Sequence, residues 1–340
     1  MPAFRSILVL KPSSLGDIVH TLPAVAAIRA AHPRTTITWV INPEWAPLLR
    51  GNRDVDHVHI FPRGEFRGLG APASLFPWLM KTRRLQPDLA LDFQGLLRSA
   101  MIGRIARARE FYGLSDAREG SRFFYQKTAR VNRRQHAVER YLQLAQLIGA
   151  DTTAPLRFPL PTGDALPRFD EYPPFILLHP FSRGGGKSLT DRLVGEFCAA
   201  LAPVRVVIAG KEKLRLKAPD NCVDLSGQTS LLQLVRLIRA ARFTISVDSG
   251  PMHIAAAVTD NLVSIHTWTD PRRVGPYNPQ AWIWRNSELR QMGDFPSEEK
   301  LPKGRKFRRA DIGTVVNLVS DRWDLALARQ IPPVPDPLGT

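Results

Sequence analysis

Asp17 is well placed to move a proton. It lies in Lys11–Pro23 (KPSSLGDIVHTLP), where Ser13, Ser14 and Gly16 precede it and His20 follows. A short apolar run, Ser6–Leu10, enters this stretch, and an Ala-rich helical run, Ala24–Ala31, leaves it. A strand that ends in a Ser/Gly turn and opens a helix is where α/β proteins hold ligands. Backbone N–H groups of such a turn can face an anion or a hydroxyl. A carboxylate beside them can act as general base on a sugar hydroxyl.

Four more strand ends carry chemistry. In Ile245–Ala257 (ISVDSGPMHIAAA) the turn is Asp248-Ser249-Gly250, and Pro251 suits the first helical position because its missing N–H costs nothing there. The free N–H groups of that helix start suit a phosphate. Ser249 adds a hydroxyl, and His253 on the first turn can reach phosphate or sugar. Asp248 would repel phosphate, so it orients the loop or holds a hydroxyl. The same residues also fit an ordinary helix capped by Asp248. His179–Lys187 (HPFSRGGGK) offers three glycines, Ser182 and two cations, Arg183 and Lys187, in the manner of a phosphate cradle. It is not a Walker A loop, since Phe181 stands where a glycine is required. A flexible surface loop is the alternative. Glu212, after Ala209-Gly210, can hold a ribose diol or simply be solvated. In Asp92–Ser99 (DFQGLLRS) Arg98, together with Arg118, Arg63 and Arg67, can gather around an anion, although each arginine alone reads as surface. Asp54-Val55-Asp56 matches an Asp-x-Asp metal signature but precedes its strand, with no further acidic ligands near, so no metal site is expected.

These residues need a scaffold of alternating strands and helices. In the first half, strands are expected at Ser6–Leu10, Ile37–Ile41, Val58–Phe61, Leu89–Phe93 and Phe111–Leu114. Helices are expected at Asp17–Ala31, Leu75–Leu85, Leu97–Ala108 and Ala137–Ile148. A Pro-rich stretch, 155–174, reads as a linker. The alternation restarts with strands Phe175–His179, Arg205–Ala209, Phe243–Val247 and Leu262–His266. Helices Asp191–Leu201, Ser230–Ala240, Pro251–Ala257 and Asp311–Arg329 accompany them. Two α/β domains follow, 1–154 and 175–330, with a loose tail, 331–340.

Composition bounds the partners. The 340 residues are 44% apolar, enough for two cores, and carry a net charge of +16. Residues 1–150 hold 22 Lys/Arg against 11 Asp/Glu, and the remainder 25 against 20, so the excess of positive charge lies in the first half. That asymmetry suggests an anionic partner such as a phosphorylated substrate, lipid headgroups or nucleic acid. No run approaches the ~20 apolar residues of a membrane span, and the start lacks a signal-peptide pattern. Two cysteines, Cys198 and Cys222, make neither a disulfide framework nor a zinc spacing and fit a reducing cytoplasm.

Three ordered motifs resemble the lipopolysaccharide heptosyltransferase family, glycosyltransferase family 9, over about residues 5–325. KPSSLGDIVHTLPA is similar to its K-x-S-S-x-G-D-x-x-H-x-L-P signature, DFQGLLRSA to D-x-Q-G-x-x-[KR]-S, and SVDSGPMHIAAA to V-D-[ST]-G-x-x-H-x-x-A. The resemblance implies the α/β GT-B fold, two Rossmann-like domains with parallel sheets facing a central cleft. It implies metal-independent, inverting transfer of a heptose from an ADP-sugar to an anionic lipid-linked acceptor of the lipid A/Kdo type. Asp17 would be the base. Ser182, Lys187, Glu212, Asp248, Ser249, Gly250, Pro251, Met252 and His253 would bind the donor. Ser14, Gly16, His20, Arg63, Arg98 and Arg118 would lie on the acceptor side. No cofactor is implied, and the enzyme would be cytoplasmic, peripheral to the inner face of the membrane. Departures cluster near the donor motifs. The loop before Lys187 reads SRGGGK, Ser188 and Leu189 replace an aromatic after it, and His266–Arg272 (HTWTDPR) replaces a small Gly-containing turn.

Two other classes fit less of the chain. A nucleotide-sugar epimerase or hydrolase on this fold needs catalytic groups around the donor and no anionic acceptor surface. A basic nucleic-acid-binding protein would interleave basic residues with aromatics on one platform, whereas aromatics are only 8% here and the arginines are scattered.

Overall fold

The computed structural model describes residues 4–66, 71–166, 174–215, 217–295 and 300–323. The chain separates into two compact units, Met1–Pro161 and Thr162–Thr340. Residues 155–161, part of the stretch read as a linker, belong to the first unit: Arg157 pairs with Asp54 at 3.4 Å, and the Pro159 carbonyl accepts from Asn52. The expected tail, the last residues of the expected final helix, and Arg67 lie outside the described residues.

In the first unit β1 (Ser6–Leu10), α1 (Leu15–Ala31), β2 (Thr36–Ile41), β3 (His57–Ile60), α2 (Ala71–Arg83), β4 (Leu89–Asp92), α3 (Leu97–Ile105), β5 (Glu110–Leu114), β6 (Lys127–Ala129) and α4 (Ala137–Gln146) follow in order. The strands form a parallel sheet, β3-β2-β1-β4-β5-β6. β1 and β4 are buried almost throughout, as central parallel strands covered on both faces must be. Order reverses between β1 and β4, and the crevice past their carboxyl ends is the place for a ligand.

The second unit repeats the plan with β7 (Phe175–His179), α5 (Asp191–Ala200), β8 (Arg205–Gly210), β9 (Cys222–Ser226), α6 (Leu231–Ala240), β10 (Phe243–Val247), α7 (Gly250–Val258), β11 (Leu262–Ile265), α8 (Pro271–Val274), β12 (Trp282–Arg285), β13 (Glu288–Gln291) and α9 (Ile312–Arg322). Its sheet runs β13-β12-β11-β10-β7-β8-β9, parallel except for β12–β13. Its switch point lies between β7 and β10. The core beneath joins Phe197, Trp284 and Phe307, with Trp284 and Phe307 edge to face at 4.7 Å.

The expected strands all form, within one residue at each end. β6, β9, β12 and β13 were not expected. Three of them, KTA, CVDLS and ELRQ, are short and partly polar, as strands at or near sheet edges can be.

Candidate active site

Asp17 is the third residue of α1, whose N-cap is Ser14. Its Oδ2 accepts from the Ser14 N–H at 3.1 Å and from the Ser14 hydroxyl at 2.7 Å. A carboxylate in a first helical turn gains about 0.3–1 kcal/mol from the helix dipole. The other oxygen, Oδ1, accepts from the Tyr141 hydroxyl at 3.2 Å and lies 3.8 Å from Lys11 Nζ. The Lys11 ammonium is buried and donates to the Phe93 carbonyl at 2.9 Å and to Tyr141 Oη at 2.8 Å. Burial pulls the Lys11 pKa down, and the Asp17 charge pulls it partly back. Burial and then the Asp17 charge push the Tyr141 phenol well above its usual range, so it stays a donor. The Asp17 side chain remains 38% exposed. The result is a carboxylate open to a ligand yet held at both oxygens.

The turn after β4 sits beside it. Asp92 Oδ1 accepts from the Gln94 and Gly95 N–H groups, and Oδ2 from the Ser99 and Tyr125 hydroxyls. Burial raises the Asp92 carboxyl even against these donors. Gly95 takes φ +64°, and a Cβ there would meet Ala117 at 3.3 Å, so glycine suits both the backbone and the space. Gln94 Oε1 accepts from the Ser13 N–H at 3.3 Å, tying the two switch-point turns together.

Between α2 and α3 lies an open groove of about 630 Å³. Phe66, Leu75, Trp78, Leu97 and Met101 are among its apolar lining, and Arg63, Arg98 and Glu119 are its charged groups. Arg98 is lowered by burial and then by the like charge of Arg63, with Glu119 opposing. Two guanidiniums are thus brought together on an apolar wall, an arrangement suited to an anion carrying apolar groups.

In the second unit the Lys187 ammonium meets Asp248 Oδ2 at 2.6 Å, and the Thr269 hydroxyl donates to the same oxygen at 2.7 Å. Burial alone would raise the Asp248 carboxyl, but His266, Lys187 and Thr269 hold it below the usual carboxylate range. Ser182 Oγ donates to the Asp248 carbonyl at 3.0 Å. Ser249 caps α7, and its hydroxyl lies 3.2 Å from His179 Nδ1. Burial brings His179 down to about 4, so its ring is neutral at ordinary pH. A Cβ on Gly210 would stand 2.3 Å from the Phe181 ring and 3.3 Å from His179 Nε2, so only glycine lets these rings close over the end of β8.

The structure gathers Ser14, Gly16 and Asp17 in one turn, Arg63 and Arg98 on one groove, and Ser182, Lys187, Asp248 and Ser249 in one cluster. Four expectations change. His20, expected on the acceptor side, is only 4% exposed and packs edge-on against His136 at 4.8 Å, because it faces inward from α1. Met252, expected among the donor residues, is fully buried within α7. α7 begins at Gly250, which puts Pro251 at the second position and makes Ser249 the cap in place of Asp248. Arg118 is exposed, does not line the groove, and uses its N–H on the Gly95 carbonyl. His253, on the first turn of α7, is buried, and Glu212 is exposed past β8. Asp56 and Asp54 pair with Arg29 and Arg157. Among the described residues no three His, Cys, Asp or Glu side chains converge as metal ligands would.

Sequence reasoning missed Lys11 and Tyr141, which hold Asp17, and His179, Thr269 and His266, which hold the second cluster. For Lys11 there was a signal: a lysine directly after the apolar run Ile7–Leu10 must be paired or neutralised if it is buried. Nothing local marks Tyr141.

The model of glycosyltransferase family 9 (heptosyltransferase) matches residues 79–188 and 197–304, more than half of the chain. Lipopolysaccharide core heptosyltransferase OpsX of Haemophilus influenzae is 24% identical, the alignment covering 94% of this chain and 96% of that protein. Lipopolysaccharide heptosyltransferase 1 of Salmonella typhimurium is 27% identical over 80% of this chain and 91% of its own length. The E. coli heptosyltransferase WaaC, solved with ADP, superposes with a TM-score of 0.74 at 21% identity, covering 94% of this chain and all of its own. A second WaaC structure, with ADP-2-deoxy-2-fluoro heptose, gives 0.71 at the same identity and coverage. The two Rossmann-like units are those of the GT-B fold, and the chain belongs to glycosyltransferase family 9, the heptosyltransferases.

Proposed function

We propose that this glycosyltransferase moves a heptose from ADP-heptose to an anionic, lipid-linked lipopolysaccharide core acceptor of the lipid A/Kdo type, with inversion and with Asp17 as base. The observation that carries the reading is the Asp17 carboxylate, part exposed at the switch point of the first sheet and fixed at both oxygens. Asp17 takes the proton of the acceptor hydroxyl while that oxygen attacks the anomeric carbon. The bond from that carbon to the diphosphate oxygen breaks, and ADP leaves with the electron pair. Lys187 and the free N–H groups at the start of α7 meet the charge that grows on the diphosphate. Asp248 keeps Lys187 in place.

The acceptor belongs to the first unit. Arg63 and Arg98 take its anionic groups, and the apolar wall beside them suits a lipid-linked molecule. The enzyme works as a peripheral protein at the inner face of the cell membrane. Among the described residues no helix is long and apolar enough to cross a bilayer, and the positive excess of residues 1–150 suits an anionic surface. An ADP-sugar donor is in keeping with the ADP and ADP-2-deoxy-2-fluoro heptose carried by the WaaC structures, and its place in the second unit rests on the Ser182, Lys187 and Ser249 cluster.

The test is Asp17→Asn, assayed for ADP-heptose affinity by calorimetry and for turnover with a Kdo-lipid A acceptor. Donor affinity should hold within about twofold while kcat falls about 10²–10⁴-fold. Persistent turnover would remove Asp17 as base. Absence of ADP-heptose binding to the wild type would remove the donor assignment. The anomeric configuration of the product, read by NMR, decides inversion.

A further inference from the structure

Trp268 is 56% exposed, although indole is the largest side chain a protein can bury. It stands in the loop from β11 to α8, and its ring lies 4.6 Å from Lys187 Nζ. The loop around it is pinned. The buried His266 ring makes hydrogen bonds with the Ser264 hydroxyl at 2.9 Å and the Thr269 hydroxyl at 3.0 Å. Thr269 in turn donates to Asp248, and its carbonyl accepts from Arg285 at 3.0 Å. The Thr267 hydroxyl reaches the Gly186 carbonyl at 3.5 Å. An exposed aromatic ring on a fixed loop, next to a lysine already bound to a carboxylate, is a ready platform.

Strand order says what the platform meets. The adjacent strands β8, β7, β10 and β11 end, in that order, in Glu212, the Ser182–Lys187 loop, the start of α7 and the Trp268 loop. Neighbouring strands are about 4.8 Å apart, so these four ends span roughly 14 Å. A nucleoside diphosphate sugar is a linear molecule with its two phosphates in the middle. With adenosine toward Glu212 and the phosphates at β7 and β10, the glycosyl group arrives at the end of β11. We propose that Trp268 is a specificity-determining residue, its ring face stacking on the C–H face of the donor's glycosyl group. This rests on the reading that the second unit binds an ADP-sugar. The ring's negative face attracts C–H groups polarised by neighbouring hydroxyls.

The experiment compares the binding of ADP, ADP-heptose and ADP-glucose to the wild type, Trp268→Ala and Trp268→Phe by calorimetry, with thermal melts confirming folding. In the alanine variant ADP affinity should stay within about twofold, while ADP-heptose loses about tenfold, the upper range of one stacked aromatic contact. Phenylalanine should restore most of the loss. The wild-type preference between the two sugars should shrink in the alanine variant. Equal losses for ADP and ADP-heptose would show that Trp268 only positions Lys187 and would overturn the proposal. Unchanged ADP-heptose affinity would overturn it as well. If the wild type binds none of the three nucleotides, the donor reading itself falls, an outcome distinct from either.

Discussion

Tyr141 donates its hydroxyl to Asp17 Oδ1 at 3.2 Å across 124 positions of sequence, and it receives the Lys11 ammonium at 2.8 Å on the same oxygen. The phenol therefore links a buried cation to a part-exposed carboxylate. Through this relay the negative charge of Asp17 is balanced without the carboxylate itself being buried. The carboxylate proposed as base thus stays accessible while its orientation is set by Tyr141 and Ser14.

Tyr141→Phe should lower kcat about tenfold and leave ADP-heptose affinity unchanged, because the ring still packs and only the donor to Asp17 is lost. Lys11→Met should do more. It leaves the Phe93 carbonyl and Tyr141 hydroxyl without their donor, at a stability cost of about 1–3 kcal/mol. Steady-state kinetics and urea denaturation measure the two effects. A Tyr141→Phe enzyme with normal kcat would show that the contact is structural only.

Arg63 and Arg98 share the groove between α2 and α3. Alanine at either position should raise the acceptor KM several-fold, with donor KM unchanged. The wild-type acceptor KM should also rise with added salt, as expected for exposed ionic contacts, and the double variant should flatten that dependence. If acceptor KM in the double variant matches the wild type at every salt concentration, the anion-binding role of this groove is wrong.

Gly210→Ala forces a methyl into the Phe181 ring. Overpacking of this kind costs about 1–3 kcal/mol. The displaced His179 ring would also release Ser249, so ADP affinity should weaken along with stability. A variant as stable as the wild type would mean that the rings can retreat freely.

Acid should destabilise the fold well before the carboxylates titrate. His59, His179 and His266 are each brought by burial from an ordinary 6.5 to about 4. Between those values the unfolded chain binds more protons than the folded one, so stability falls as pH drops and is complete above about 6.5. Each ring contributes up to about 1.4 kcal/mol per pH unit in that window. Asp92, raised by burial, works in the opposite sense, but one carboxyl faces three rings. Urea midpoints at pH 7.5, 6 and 5 should fall steadily, and a flat series would contradict the buried neutral rings.

Local signals carried the architecture of this chain. Ser6–Leu10, Leu89–Asp92, Phe175–His179 and Phe243–Val247 are apolar runs punctuated by Ser, Gly, Asp or Pro, and such punctuation acts over a few residues. The turns that hold Asp17, Asp92 and Asp248, and the placement of each on a strand end, were legible for that reason. Paired local signals repeated twice also implied two α/β units. What the tertiary structure alone decided are contacts between distant positions. These include Tyr141 on Asp17, Arg63 beside Arg98, and Arg285 and His266 bracing the Trp268 loop. They include as well the inward turn of His20 and the burial of Met252, since helical periodicity did not say which face of α1 or α7 the sheet would cover. The edge strands were unreadable because pairing with a neighbour, and not their own composition, makes them strands.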